Sequence, residues 1–270
     1  MRRPAFVALL ILAAASVAPA WAAGLPAASP AVPLAAHRAL YELTFAKSRS
    51  GDVVAARGEM GYEVIDACDG WAVRQRLKMT VTNTEGQDID MVSDYATWES
   101  KDGLRMRFHV KQMTETAVTS QTDGEATLER RNGPGEVHYT APKEMTKPLP
   151  AGTLFPMMHT AAIIQAARDG KKFLTLPLFD GTDENGAEDS SIVILNRRPP
   201  TPNKWAPLSS LPSSRVRLAF FDRQAGTITP NYEVGMRYWD NGVADNLQMD
   251  FGDFVMNAKM TEFALQPRRC

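Results

Sequence analysis

The sequence predicts a mainly β protein, an antiparallel sheet closed or nearly closed into a barrel, with one main α-helix. Three observations predict it. Runs of alternating apolar and polar residues recur through both halves of the chain, as in Trp71, Val73, Gln75, Leu77, Met79 and Val81. Turn pairs such as Asp69-Gly70, Glu85-Gly86 and Asp102-Gly103 stand between these runs. Glycine takes a positive φ at little cost, so such pairs are strong hairpin signals. Only FPMMHTAAIIQAARDGKK, residues 155–172, has helical spacing. Closing a sheet removes its exposed edges, which favours a barrel; a β-sandwich is the alternative.

The elements follow in order. Arg2 and Arg3 precede an apolar run from Ala5 to Ala18, then Ala20-Trp21-Ala22. That layout is a secretory signal peptide over residues 1–22, and the run is too short for a membrane anchor. Residues 23–36, rich in Ala and Pro, are expected as a flexible tail, and residues 37–270 as one domain. No later stretch is long and apolar enough to span a bilayer, so no transmembrane segment is expected in the mature chain. Strands are expected at His37–Phe45, Ala55–Ile65, Trp71–Val81, Ile89–Trp98 and Leu104–Val110. Arg74, Arg76, Lys78, Arg105, Arg107 and Lys111 face away from the apolar positions, so one face packs and the other is wet. Ala141–Gly152 reads as a Pro-rich loop, and the helix as residues 155–169, with Pro156 at its start and Gly170 after its end. Strands resume at Phe173–Phe179, Ser190–Leu195 and Arg215–Phe221. They end with a hairpin around Asp240-Asn241-Gly242 and the alternation of Phe254, Met256, Ala258 and Met260. Five prolines over residues 197–213 argue against regular structure there.

The chemistry-bearing residues are sparse. The chain holds 30 basic and 31 acidic residues, the basic ones scattered, so nothing points to nucleic acid. His37, His109, His138 and His159 form no HExxH or close pair, and no metal site is predicted. The acidic loop Asp180–Asp189 lacks the spaced glutamate of an EF-hand and reads as an Asn-Gly turn. There is no GxSxG, GxGxxG or Walker motif, so no catalytic residue and no cofactor is predicted. Two cysteines in an exported chain pair by default, here Cys68 with Cys270; a free thiol or an intermolecular bridge are the alternatives. An antiparallel barrel can enclose an apolar cavity. Phe155, Met157, Met158, Ala161 and Ile164 are the candidates to line it or to form the packed face of the helix.

Five blocks carry a family resemblance: HRALYEL at 37–43, ACDGW at 67–71, GTLFPMMH at 152–159, LFDGTDENG at 178–186 and YEVGMRYWDNGVADNLQMDFGDFVM at 232–256. With the terminal cysteine, their order over 37–270 resembles the EipB family of alphaproteobacterial periplasmic cell envelope integrity proteins. The resemblance implies a β-spiral, an open and broken barrel distantly like those of the lipoprotein carriers. It implies a disulfide between Cys68 and Cys270, a periplasmic location and no enzymatic activity. Its expected role is envelope integrity through protein partners, among them a periplasmic tetratricopeptide-repeat protein. The alternative is a binder or carrier of lipid or another amphiphile in the barrel.

Overall fold

Alternation of inward apolar and outward polar residues shapes almost every strand. In Arg105–Thr114, Met106, Phe108 and Val110 are buried while Arg105, Arg107 and His109 are exposed. The computed structural model describes residues 32–223 and 227–267. The expected signal peptide lies outside the described residues, as does most of the expected tail. The last residues of that tail are tied down: Ala35 N–H donates to Asn241 O at 2.9 Å, and Ala36 is buried.

The first half holds β1 (His37–Ser48), β2 (Val53–Asp66), β3 (Gly70–Asn83), β4 (Asp88–Ser100), β5 (Arg105–Thr114), β6 (Ala117–Leu128), β7 (Gly135–Ala141) and β8 (Met145–Leu149). Helix α1 (Pro156–Arg168) follows, then β9 (Phe173–Leu178) and β10 (Glu188–Arg198). The short α2 (Ala206–Ser209), β11 (Ser213–Phe221), β12 (Tyr232–Trp239), β13 (Ala244–Asp250) and β14 (Phe254–Leu265) complete the chain. Among the described residues the strands form one 14-stranded antiparallel sheet, in the order β8-β7-β6-β5-β4-β3-β2-β1-β14-β13-β12-β11-β10-β9.

The sheet curls but does not close edge to edge. Its edge strands are β8 and β9, and the chain between them carries α1. The segment after β9 instead crosses the inner face of β4 to β7. Phe179 packs edge-on against Phe108 and Tyr139, with centroids 5.4 and 6.3 Å away. Tyr95 OH donates to Asp180 O at 3.1 Å, and Thr122 Oγ1 to Gly181 O at 2.6 Å. One short parallel contact links the ends: Leu154 N–H donates to Pro177 O, and Phe179 N–H to Leu154 O. The result is an open spiral with a main core inside β1–β3 and β9–β14. A second core of Met106, Phe108, Val137, Tyr139, Phe155 and Phe179 sits where the ends overlap.

Three expectations are corrected. Ala141–Gly152 is not all loop, because β8 runs through it; Pro148 fits there since β8 pairs only with β7. Residues 197–213 are not devoid of regular structure: β10 reaches Arg198, α2 forms with Pro207 in its first turn, and β11 begins at Ser213. The expected disulfide is not contained in the described residues, and Cys68 is not a free thiol. Cys270 lies outside the described residues, Cys68 is the single described cysteine, and no disulfide joins two described residues. What holds β14 is its ladder with β1 and β13, extended by Gln266 N–H donating to Ala36 O at 2.9 Å.

The turn around Cys68 also differs in detail from the Asp-Gly expectation. Cys68 takes the positive φ, 69°, and its N–H donates to Asp66 Oδ1 at 3.1 Å. Gly70 is needed for a close approach instead: a Cβ there would stand 2.5 Å from Trp98 Cε2 and 2.7 Å from Glu99 O.

Candidate functional site

Helix α1 has no cap of its own. Phe155 occupies the N-cap position and its first turn holds no acidic residue. The unpaired N–H groups of a helix start need acceptors. β4 supplies them: Glu99, only 1% exposed, accepts from Met157 N–H at 2.7 Å and Met158 N–H at 3.0 Å. Burial pushes the Glu99 carboxyl up to about 7, and the two backbone bonds offset only part of that.

The other end of α1 is held by charge. Arg168 Nε donates to Asp240 Oδ2 at 3.1 Å, and Arg197 donates to both Asp240 oxygens at 2.7 Å. Between the two anchors, His159 Nε2 lies 2.6 Å from Ser190 Oγ. Burial lowers the His159 pKa to about 4, so the ring is neutral at pH 7. Ser190 is fully buried and does not line the cavity described next, so this pair ties α1 to β10 rather than presenting a nucleophile.

Beneath the first turns of α1 lies a cavity of about 300 Å3. Met60, Val64, Leu218, Val234, Met236 and Met157 give it apolar walls from both halves of the sheet and from the helix. Tyr41, Tyr62, Tyr95 and Tyr238 add phenol rings, all with pKa raised by burial and therefore neutral. Tyr41 OH is committed to Ala244 O at 2.8 Å. His37 also contributes, with Nδ1 2.8 Å from Ala35 O and its pKa lowered by burial. Among the described residues no Lys or Arg lines this space.

The sequence candidates fall in different places. Met157 lines the cavity and packs with Val64 and Val73. Phe155 is fully buried in the second core, its centroid 6.3 Å from that of Phe179. Met158 is half-buried beside Gly103, where a Cβ would meet its Cγ at 2.5 Å. Ala161 is half-buried and Ile164 buried, both away from the lining. Pro156, His159 and Thr160 line the cavity with Met157, so it is the first turn and a half of the helix that faces the space. Periodicity identified a face of α1 but not which stretch of it lies over a void.

The acidic loop folds back on itself. Asp180 Oδ1 accepts from Thr182 N–H at 2.9 Å and from Thr182 Oγ1 at 2.7 Å. Burial, then repulsion from Asp180, Asp183 and Asp222, pushes Glu188 up to about 9. Among the described residues no group of three His, Cys, Asp or Glu is placed to hold a metal ion.

An open antiparallel spiral around an apolar cavity, braced by one helix, defines a barrel-like protein. The crystal structure of a beta-barrel-like protein of a domain of unknown function (DUF1849) from Brucella abortus is similar to it. The TM-score is 0.78 at 28% identity, over 88% of this chain and 100% of that one. The cell envelope integrity protein EipB of Brucella abortus (strain 2308) is 30% identical over 267 residues, 95% of this chain and 94% of that protein. The EipB-like family profile matches residues 28–267. The chain belongs to the EipB-like family. It is a non-enzymatic periplasmic protein linked to cell envelope integrity. No described helix is long and apolar enough to cross a membrane.

Proposed function

We propose that the protein supports the envelope by holding one apolar chain of an envelope amphiphile inside the spiral. The reading takes residues 1–22 as a signal peptide and residues 37–270 as one domain. The observation that carries it is the apolar cavity of about 300 Å3 under α1. That volume is at the lower end for small-molecule sites. It suits a single chain rather than the paired chains of a whole phospholipid. The lining holds neutral phenols, one carboxyl, Asp180, whose pKa is raised by burial, and no Lys or Arg among the described residues, which suits an uncharged head or a chain entering tail first.

Native mass spectrometry of the mature protein, isolated gently from its own envelope fraction, tests this. The expected result is an excess mass that leaves on denaturation and fragments as a single-chain amphiphile. A bare mass that stays bare on incubation with a long-chain alcohol would overturn it. Function would then rest on protein contacts, with a tetratricopeptide-repeat protein as the partner the family resemblance implies.

A further inference from the structure

The outer face of the β10–β12 ladder carries a charge arrangement that works against the fold. Arg215 of β11 stands directly opposite Arg237 of β12. Like charges at opposed positions destabilise a sheet. Arg198, exposed at the end of β10, pairs in register with Ser213, two residues before Arg215 and so on the same face. Arg237 Nη1 reaches Ser213 Oγ at 3.2 Å, and Arg215 Nη1 donates to Asn246 O at 2.7 Å. Among the described residues none of the three arginines forms a salt bridge. Asp245 pairs in register with Arg237 across β12 and β13, and its Oδ1 accepts from Met260 N–H at 3.0 Å and Asn246 N–H at 2.6 Å; it offsets only part of the repulsion on Arg237. Burial first, then Arg198 and Arg215, lowers the pKa of Arg237, as mutual repulsion requires.

Apolar side chains border this cluster. Val193 pairs in register with Arg217 on one side and with Phe173 of β9 on the other. Leu195 occupies the bulge between Ile194 and Asn196, next to Arg215. Phe173 is 62% exposed, Leu195 56% and Val193 39%. These are three of the seven exposed large apolar side chains among the described residues, so they form a patch and not a scatter. Exposed Lys171 and Lys172 precede Phe173.

We propose that this face docks on a bilayer surface containing anionic phospholipid. The arginine forks match phosphate oxygens, which would relieve the repulsion within the cluster. Phe173, Val193 and Leu195 enter the interfacial zone beside the headgroups. A soluble acidic partner satisfies the arginines but gives no reason for the apolar border. The docking face is separate from the cavity, because Val216 and Leu218 alternate with Arg215 and Arg217 and point inward. The failure of one proposal therefore leaves the other standing.

Flotation of the mature protein with vesicles tests the docking. One set is phosphatidylcholine alone; the other contains about one third phosphatidylglycerol. Wild type is expected to float with the mixed vesicles only, and less at high salt. The variant Arg198→Gln/Arg215→Gln/Arg237→Gln is expected to lose about 100-fold in partitioning, at about fivefold per arginine. Its melting temperature is expected to equal or exceed that of wild type, since an opposed like-charge pair is gone. Phe173→Ser/Leu195→Ser is expected to weaken binding while keeping the salt dependence. Equal flotation with neutral vesicles, no flotation with either set, or unchanged flotation of the arginine variant would each overturn the proposal. So would a lower melting temperature of that variant, which would assign the arginines to the fold. Binding to soluble polyglutamate as tight as to mixed vesicles would overturn it in favour of an acidic protein.

Discussion

Replacing Glu99 by glutamine decides between two opposed effects at the start of α1. The helix N-terminus favours a negative charge there, and burial disfavours it. Burial dominates, taking the carboxyl from its ordinary 4.5 to about 7. A carboxyl whose pKa rises on folding keeps its proton in the folded protein while the unfolded chain releases it. Its contribution to stability is therefore full below about pH 4.5 and is lost as pH rises to about 7. The size of that loss is about 3 kcal/mol, and Glu99 is too buried for solvent to screen it much. Glutamine does not titrate. The stability of wild type minus that of Glu99→Gln should thus fall by about 3 kcal/mol between about pH 4.5 and 7, then level off. Urea unfolding of both mature proteins at closely spaced pH gives this difference, and the other titrating groups cancel in it. A difference that rises with pH would mean that the helix terminus dominates and would refute the reasoning. A flat difference would mean that the carboxyl is solvated in both states.

Other outcomes follow from the same geometry. Asp240→Asn should cost about 3 kcal/mol in urea unfolding, because Arg168 and Arg197 lose their shared counter-charge. Gly70→Ala should cost about 2 kcal/mol by the same assay, since its Cβ would meet the Trp98 indole and Glu99 O. Relative to wild type, Glu188→Gln should gain in melting temperature as pH rises from about 4.5 to 9, because the unfolded wild-type chain releases the Glu188 proton while the folded one keeps it. Above about 9 the carboxyl is ionised in both folded and unfolded wild type, and the difference should level off. Val234→Phe should narrow the cavity and reduce uptake of a long-chain alcohol, read by native mass spectrometry, while the spiral stays folded by circular dichroism.

Most of the sheet was legible because its signals are local. Val73, Leu77, Met79 and Val81 alternate in sequence and are buried in the structure. Gly86, Gly103 and Gly242 take positive φ where turns were expected. β6 was not read as a strand, because AVTSQTDGEATL is largely polar and leans on its neighbours rather than on its own pattern. β8 was hidden by Pro148, which an edge strand tolerates. The site was less legible still. Glu99 looks like a surface residue in ATWES, and its role appears only when β4 meets α1, 58 residues further on. The four tyrosines around the cavity sit on separate strands, each an ordinary strand residue in sequence. Alternation says which residues point inward, but not where the inward residues fail to meet.

Strand order also constrains how the chain can assemble. Every ladder in the sheet joins neighbours in sequence except one, β1 with β14. Eight strands unroll from β1 in one direction and six from β14 in the other, so the first and last strands meet in the middle while mid-chain strands form both borders. Each arm can zip locally through its own hairpins, but the seam between them must bring together residues such as Leu43 and Ala258. Closing so long a loop is slow compared with forming a hairpin. The seam is then the slowest pairing of the sheet to form, and the main core is complete only once β14 lies beside β1.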